Sequence, residues 1–168
     1  MKFNLLNRKI HGWVSVIIAL PVIVIIATGL LLQLKKDVAW IQPSEVRGTG
    51  NVPEISLEKI LEVSKGVPEA EVETWDDINR LDVRPSKGMV KVRAQNDWEI
   101  QIDLQKGTVL QVEYRRSDLI ESIHDGSFFH DYFKYLVFLP AGICLFCLWL
   151  TGLYMFFQPR YARWRRSR

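Results

Sequence analysis

Three histidines, His11, His124 and His130, are the residues of this chain best suited to chemistry, and all three lie at the ends of long apolar runs. If those runs lie in a membrane, ionisable side chains there are costly to keep and tend to mark function. A neutral imidazole can move protons or bind a metal, including the iron of haem. The alternative interpretation is an interfacial histidine that lipid headgroups solvate. The residue types alone leave both interpretations open.

Two cysteines, Cys144 and Cys147, form a C-x-x-C pattern inside the second apolar run. In a soluble redox protein this spacing would indicate thiol exchange. Inside an apolar helix thiolate formation is unfavourable, whereas small residues let membrane helices approach closely. The small residues at this spacing are Ala141, Cys144, Cys147 and Thr151. We therefore predict that both cysteines serve helix packing, and that Cys147→Leu would crowd a helix contact.

The elements that must hold these residues are two uncharged apolar runs. Trp13 to Leu34 is 22 residues long and Tyr135 to Phe157 is 23 residues long. At ~1.5 Å per residue each run would span ~33 Å as a helix, which matches the ~30 Å hydrocarbon core of a bilayer. The first run is too long for the apolar part of a signal peptide, and no small-residue cleavage site follows it. Two transmembrane helices are therefore predicted.

Basic residues at both ends of the chain predict its orientation. The N-terminal segment carries three positive charges and the C-terminal tail five, and neither carries an acidic residue: Lys2, Arg8, Lys9, Arg160, Arg163, Arg165, Arg166 and Arg168. Because the whole chain has a net charge of only +3, the segment 35–134 carries −5. By the positive-inside rule both ends should lie in the cytoplasm. The high isoelectric point is then a signal of topology and lipid contact, so no nucleic-acid partner is predicted.

The segment between the two runs predicts a small α+β domain. Residues 37–52, with Pro43, Gly48 and Gly50, are typical of a linker. Ser56 is a candidate N-cap for a helix from Leu57 to Lys65. Alternating residues and turn signals then predict four short strands, at about 78–83, 89–93, 98–102 and 109–112. One helix packed on the apolar face of a four-stranded antiparallel sheet would complete this domain.

The same segment lacks the residues of a hydrolytic or zinc site. Between Lys35 and Ile123 the sequence contains no histidine and no cysteine. A Ser-His-Asp triad and a histidine- or cysteine-bound zinc ion are therefore excluded there. No catalytic set is predicted in the soluble domain, and any redox role belongs to the three histidines.

Several of these motifs resemble the PepSY domain and the PepSY-associated transmembrane proteins. The PepSY-like segments are Ile55 to Leu61, Val67 to Ala70, and the strand and turn Ile102 to Leu110. The first membrane run resembles the family in Arg8-Lys9-Ile10-His11-Gly12-Trp13 and Ala27-Thr28-Gly29-Leu30-Leu31. The later run resembles it in Ser122-Ile123-His124-Asp125-Gly126 and Leu150-Thr151-Gly152-Leu153. The resemblance covers nearly the whole chain, although larger relatives have four membrane helices.

The resemblance implies a cofactor and a function. Larger members include siderophore reductases thought to carry haem b, and their motif histidines correspond to His11 and His124, with His130 a competing outer ligand. Two ligands on opposite sides of a ~30 Å core cannot share one iron. A homodimer or a larger membrane complex would then supply the second ligand for each haem. The expected function is electron transfer across a bacterial inner membrane to a periplasmic acceptor, such as ferric iron or a flavoprotein.

A second hypothesis needs no cofactor. PepSY domains in protease propeptides are associated with inhibition, which suggests a non-catalytic binding or regulatory module for a periplasmic enzyme or membrane complex. A third is a structural subunit. All three share one division of the chain: 1–34 with the first membrane helix, 35–134 as a periplasmic PepSY-like domain, and 135–168 with the second membrane helix and a cytoplasmic tail.

Overall fold

The computed structural model describes residues 2–166, apart from the side chains of residues 2–4, 162, 165 and 166. Of the basic residues that predict the topology, Arg168 lies outside the described residues, and Lys2, Arg165 and Arg166 lie outside the described side chains. The chain folds into two compact units. The helical unit comprises Met1–Leu30 and Glu121–Arg168, and the sheet unit comprises Leu31–Ile120.

The elements follow one another in a simple order. They are α1 (Lys2–Ile17), α2 (Ala19–Gln33), α3 (Leu57–Lys65), β1 (Ile78–Arg84), β2 (Met89–Ala94), β3 (Trp98–Asp103), β4 (Val109–Tyr114), α4 (Arg116–Asp125), α5 (Asp131–Phe133), a π-helical turn (Lys134–Phe138) and α6 (Leu139–Arg166). Short 3₁₀ turns lie at Pro68–Ala70, Trp75–Asp77 and Pro85–Lys87.

The first apolar run is bent and does not form one straight helix. Leu5–Ile17 and Ala19–Gln33 meet at an angle of 62°. Pro21 explains the break, because it lacks the N–H that would bond the Ile17 carbonyl and its ring crowds that carbonyl. The pair is long and apolar enough to cross a bilayer only if both halves count as one span.

The second apolar run is a membrane-type helix. Asp131–Tyr161 is 31 residues long, and only 11% of its most apolar window is buried within the structure. An apolar helix exposed to this degree is unlike the core helix of a soluble protein. It begins with the π-helical turn Lys134–Phe138, in which Leu139 N bonds Lys134 O just before Pro140 interrupts the regular pattern. The chain thus combines a membrane-type helical unit with an α+β unit.

The sheet unit has the predicted helix and four strands. Ser56 caps α3, its side chain accepting a hydrogen bond from Lys59 N at 3.2 Å. The sheet is an antiparallel meander in the order β1-β2-β3-β4. Pairs such as Val92–Ile100 place one residue of each strand on the same face. That face packs with α3 into a core that includes Ile60, Val90, Val92, Ile100 and Ile102.

The other face of the sheet is polar and buried. Lys91, Glu99, Gln101 and Asp103 are each at most 2% exposed. Lys91 Nζ lies 3.4 Å from Glu99, and Arg115 Nη1 donates to Glu99 at 2.8 Å. Burial lowers the pKa of Lys91, and the Glu99 carboxylate opposes that shift. Buried charges persist only when paired, which these residues are.

Residues 40–49, which we call the strap, belong to the predicted linker 37–52 and cover part of this polar face. Val46 N donates to Gln101 Oε1 at 2.8 Å, and Gln101 Nε2 donates to Ser44 O at 2.9 Å. Thr49 bonds Asp103 Oδ2 through its N–H at 2.7 Å and its hydroxyl at 2.8 Å. Proline and glycine predicted irregular backbone correctly, but irregular backbone can still be fixed by side-chain partners.

Candidate histidine sites

The first candidate site joins α1 to α6 in the helical unit. His11 lies in the middle of α1 and Thr151 in the middle of α6, and the imidazole Nδ1 is 3.0 Å from the Thr151 hydroxyl oxygen. Both residues are half-buried. Two residues 140 positions apart in sequence are thereby brought together.

The second candidate site has the same composition but the opposite order in the chain. His124 lies near the end of α4 and Thr28 in α2, and His124 Nδ1 is 3.0 Å from the Thr28 hydroxyl oxygen. Thr28 is 9% exposed. Here the threonine comes from the first apolar run and the histidine from the later segment, the reverse of the His11 site. We call each pair a seat, His11–Thr151 and His124–Thr28.

Each threonine hydroxyl also has a backbone acceptor in its own helix. Thr28 Oγ1 donates to Val24 O at 2.5 Å, and Thr151 Oγ1 donates to Cys147 O at 2.9 Å. A hydroxyl has one hydrogen, and that hydrogen points at the helix backbone. A threonine that donates to its own backbone can only accept from an imidazole N–H. These bonds therefore bear on which ring nitrogen of His11 and of His124 carries the proton.

A glycine follows each threonine and makes room for the ring. A Cβ added to Gly29 would lie 3.3 Å from His124 Cε1, and one added to Gly152 would lie 3.7 Å from His11 Cε1. The first distance is tighter than ordinary contact, and the second is ordinary. In each Thr-Gly pair the threonine contacts the imidazole and the glycine leaves space beside it. The absence of a Cβ matters more at Gly29, where one would lie closer to the His124 ring.

His130 has a different role from the other two histidines. It is exposed, and its Nδ1 accepts a hydrogen bond from Tyr132 N at 3.2 Å, which makes it the N-cap of α5. Its ring stacks on Tyr132 with centroids 5.1 Å apart. Because Nδ1 accepts, the neutral ring carries its proton on Nε2. Among the three histidines, His130 is the one whose Nδ1 accepts a hydrogen bond from a backbone N–H.

An apolar groove opens beside His11. It has a volume of about 620 Å³. Its walls come from α1 and α6: His11, Ser15, Leu145, Leu148, Trp149, Gly152, Leu153 and Phe156. Apolar walls with few polar groups are typical of cofactor sites, and bundle cofactors lie between facing helices. The polar side chains of this lining are those of His11 and Ser15.

Asp125 fixes the turn next to His124. Lys134 Nζ lies 2.7 Å from Asp125 Oδ2, and Ser127 N donates to Asp125 Oδ1 at 2.9 Å. Burial acts to raise the pKa of Asp125, but the Lys134 ammonium and the Ser127 bonds outweigh it and lower the pKa to about 2. Gly126 follows with φ +85°, a conformation that favours glycine. This turn holds the end of α4, and with it His124.

The cysteine stripe is only partly correct. Ala141 is buried and Cys144 and Thr151 are half-buried, but Cys147 is exposed. The half-buried positions of α6 continue through Leu148, so a larger residue occupies the packed position predicted for Cys147. The reason is the helical repeat: spacings of three, four and three residues stay on one face, whereas two successive steps of three drift off it.

The sheet unit offers a polar cavity of about 430 Å³. Its walls come from the start of the unit, the strap and the β1–β2 region: Lys36, Gln42, Pro43, Ser44, Glu45, Arg84 and Lys87. Glu45 accepts from Arg84 Nη1 at 2.6 Å and pairs with Lys87, and Lys91 Nζ lies 3.1 Å away. The carboxylate is thus shared by three cations. Among the described residues, no group of three or more histidine, cysteine or acidic side chains could hold a metal ion.

Comparison with known protein families adds one finding to this geometry. The family described as the PepSY-associated TM region matches residues 8–168. The chain belongs to this family. Searches of curated proteins and of solved structures return no match. The match to the PepSY-associated family confirms the predicted resemblance, and its range includes both seats and the sheet unit.

Sequence reasoning found the histidines of this PepSY-associated protein but not their partners. Thr28 and Thr151 were noted only as parts of the family motifs, and Thr151 was also assigned to the small-residue packing stripe. A signal was present, because Thr-Gly-Leu occurs once in each apolar run, at Thr28 and at Thr151. Without a fold, nothing in the sequence connects a given Thr-Gly to the histidine of the other run.

Proposed function

We propose that this protein is an integral membrane electron-transfer protein that carries haem b, with His11 and His124 as ligands of two separate haems. The observation that carries the proposal is that the Nδ1 of each histidine lies 3.0 Å from a threonine hydroxyl oxygen, which allows Nδ1 to donate and Nε2 to bind a metal. Histidines that ligate metals typically donate their other ring N–H in this way. The apolar groove beside His11 supports the same function. Bound haem iron would take up and release one electron at a time.

The two seats would serve different irons. Phe138, next to Gly126 at the His124 end, is thirteen residues before Thr151 at the His11 end, a rise of ~20 Å along the helix. Each histidine would then provide one ligand, and a second copy of the chain, or another histidine-bearing membrane subunit, would provide the other. A homodimer would add further helices around the His11 groove, whose described walls come from α1 and α6.

The topology belongs to the same proposal. The bent pair of helices would form one span and Asp131–Tyr161 the other, with both basic ends in the cytoplasm of a bacterium and the sheet unit in the periplasm. A reporter fused after Gly88 should then be active in the periplasm and one fused after Arg168 in the cytoplasm. The opposite pattern would reverse the proposed direction of electron transfer.

Absorbance spectroscopy tests the haem. The full chain is produced in haem-supplied cells, purified in detergent, and compared in reduced-minus-oxidised spectra with His11→Ala, His124→Ala and His130→Ala. We expect a b-type spectrum in the wild type, loss of one component in each of the first two variants, and no change in the third. A colourless wild type would contradict the proposal, and unchanged spectra in both seat variants would show that other residues are the ligands.

A second candidate function is a non-catalytic binding or regulatory module for a periplasmic enzyme or a membrane complex. The polar cavity of the sheet unit favours it, because a carboxylate shared by three cations can be replaced by an acidic group of a partner. A colourless protein that still forms a defined complex through the sheet unit would support this function. Arg84→Ala should then weaken the complex, while His11→Ala should leave it unchanged.

A further inference from the structure

We propose that Thr28 and Thr151 are positioning residues that hold His124 and His11 as the tautomer protonated on Nδ1, so that Nε2 is the bare nitrogen. The purpose of this positioning rests on the proposed function, whereas the tautomers themselves depend only on the chain's own residues.

The inference starts from the hydroxyl hydrogens. Thr151 donates to Cys147 O at 2.9 Å and to Leu148 O at 3.1 Å, and Thr28 donates to Val24 O at 2.5 Å and to Ile25 O at 3.3 Å. In both helices either of these bonds would put the hydroxyl hydrogen on the backbone side of the oxygen. If the imidazole were protonated on Nε2 instead, its Nδ1 lone pair would face a threonine lone pair, which is repulsive. The backbone of each helix thereby fixes the tautomer of a histidine on another helix.

The arrangement occurs twice, with the same distance and the same atoms. Both Nδ1–Oγ1 distances are 3.0 Å, and both threonines are followed by the glycine that borders the ring. His130 provides an internal contrast, since its Nδ1 accepts from Tyr132 N. One chain thus contains two histidines expected as Nδ1–H and one expected as Nε2–H.

The test is nitrogen NMR of the haem-free full chain in lipid nanodiscs, with ¹⁵N-labelled histidine, at a pH where the rings are neutral. The bare nitrogen of a neutral imidazole resonates far downfield of the protonated one, so each ring reports its tautomer. The variants are Thr151→Val and Thr28→Val, which keep the shape and remove the hydroxyl, and Thr151→Ser and Thr28→Ser, which restore it.

We expect His11 and His124 to be Nδ1–H in the wild type and His130 to be Nε2–H. Thr151→Val should change the tautomer of His11 alone, and Thr28→Val that of His124 alone, with each serine variant returning to the wild-type spectrum. A wild type in which His11 and His124 are Nε2–H would overturn the inference, and this holds even if a valine variant fails to fold. Valine variants with unchanged tautomers would overturn it as well.

A second measurement separates this inference from the proposed function. Haem titration of the same variants should show 10- to 100-fold weaker binding for Thr→Val than for Thr→Ser, the range usual for partners of metal-bound histidines. If the tautomers behave as expected but the wild type binds no haem, the positioning role stands and the haem function fails. If haem binds equally to the valine and serine variants, the positioning role fails and the haem function stands.

Discussion

The two seats are built from the same three residue types, yet they differ in what holds the histidine. His11 projects from a long regular helix, and a Cβ added to the neighbouring Gly12 would meet nothing within 4 Å. His124 lies one residue before the end of a ten-residue helix, next to the ion-paired Asp125 and the left-handed Gly126. The first seat depends on a helix that is regular around it, and the second on a turn that must close correctly.

The surroundings of the rings differ in the same sense. His11 borders an apolar groove with a glycine at ordinary contact distance, whereas His124 packs closely against Gly29 and a buried Thr28. Two seats with the same hydrogen bond can therefore differ in how well they tolerate substitutions at neighbouring residues. We expect the His124 seat to be the more sensitive of the two, and the following predictions test that difference from the largest effect to the smallest.

Gly126→Ala should damage the His124 seat severely. A Cβ at this position would lie 2.4 Å from Phe138 Cδ2, and the backbone φ of +85° is unfavourable for alanine. Strain of ~1–2 kcal/mol and overpacking of ~1–3 kcal/mol together suggest a loss of about 2–5 kcal/mol. Thermal unfolding in detergent measures the loss. Gly142→Ala is the matched control, because its Cβ would meet nothing within 4 Å; equal unfolding temperatures for the two variants would contradict the prediction.

Gly29→Ala and Gly152→Ala should differ although both change Thr-Gly to Thr-Ala. The first crowds the His124 ring at 3.3 Å, and the second reaches the His11 ring only at 3.7 Å. If haem binds as proposed, Gly29→Ala should weaken the outer haem by about tenfold, within the range for residues behind a ligand, and Gly152→Ala should leave the inner haem nearly unchanged. Haem titration measures both. An equal loss in the two variants would mean that the seats are equally tight.

Asp125→Asn should loosen the His124 end without affecting the His11 end. The pKa of Asp125 in the fold, about 2, lies below its ordinary value of 3.8, so its charge stabilises the fold above about pH 4 and loses that effect as the pH falls toward 2. The side chain is 33% exposed, so the loss at neutral pH should be only about 1 kcal/mol.

Hydrogen exchange locates the effect of Asp125→Asn. Amides from 125 to 134 should exchange faster in the variant at pH 7, and those from 148 to 158 should be unchanged. Acidifying the wild type from pH 5 toward pH 2 should reduce protection of the same 125–134 amides, after correction for the intrinsic exchange rate. Uniform changes along both segments would show that the turn is not an independent support for His124.

Cys147→Leu should have the smallest effect, contrary to the expectation from the small-residue stripe. Cys147 is exposed, and exposed substitutions usually change stability by no more than about 0.5 kcal/mol. Cys144→Leu is the contrasting variant, because the half-buried Cys144 leaves less room and overpacking typically costs about 1–3 kcal/mol. Thermal unfolding of both variants is compared with that of the double variant Cys144→Ala, Cys147→Ala. The result distinguishes the predicted small-residue stripe from the face of α6 that is half-buried in the structure.

The alternation of apolar and polar residues predicted the sheet unit closely. The helix Leu57–Lys65 matches its predicted bounds, and each strand extends the predicted range by one or two residues at most. Local patterns suffice here because each strand needs one apolar face and each turn needs its own glycine or polar residues. The strap was missed because its ties to Gln101 and Asp103 connect residues more than 50 positions apart.

The sequence by itself determined which residues could do chemistry: three histidines beside two long uncharged runs, with family motifs around two of them. Only the tertiary structure decided which of them resemble one another. It gave His11 and His124 a threonine partner and made His130 a helix cap. The physical reason is that a tautomer depends on the partner at each ring nitrogen. For His130 that partner is two residues away, but for the seats it lies on another helix, 140 and 96 positions away, where no local pattern reaches.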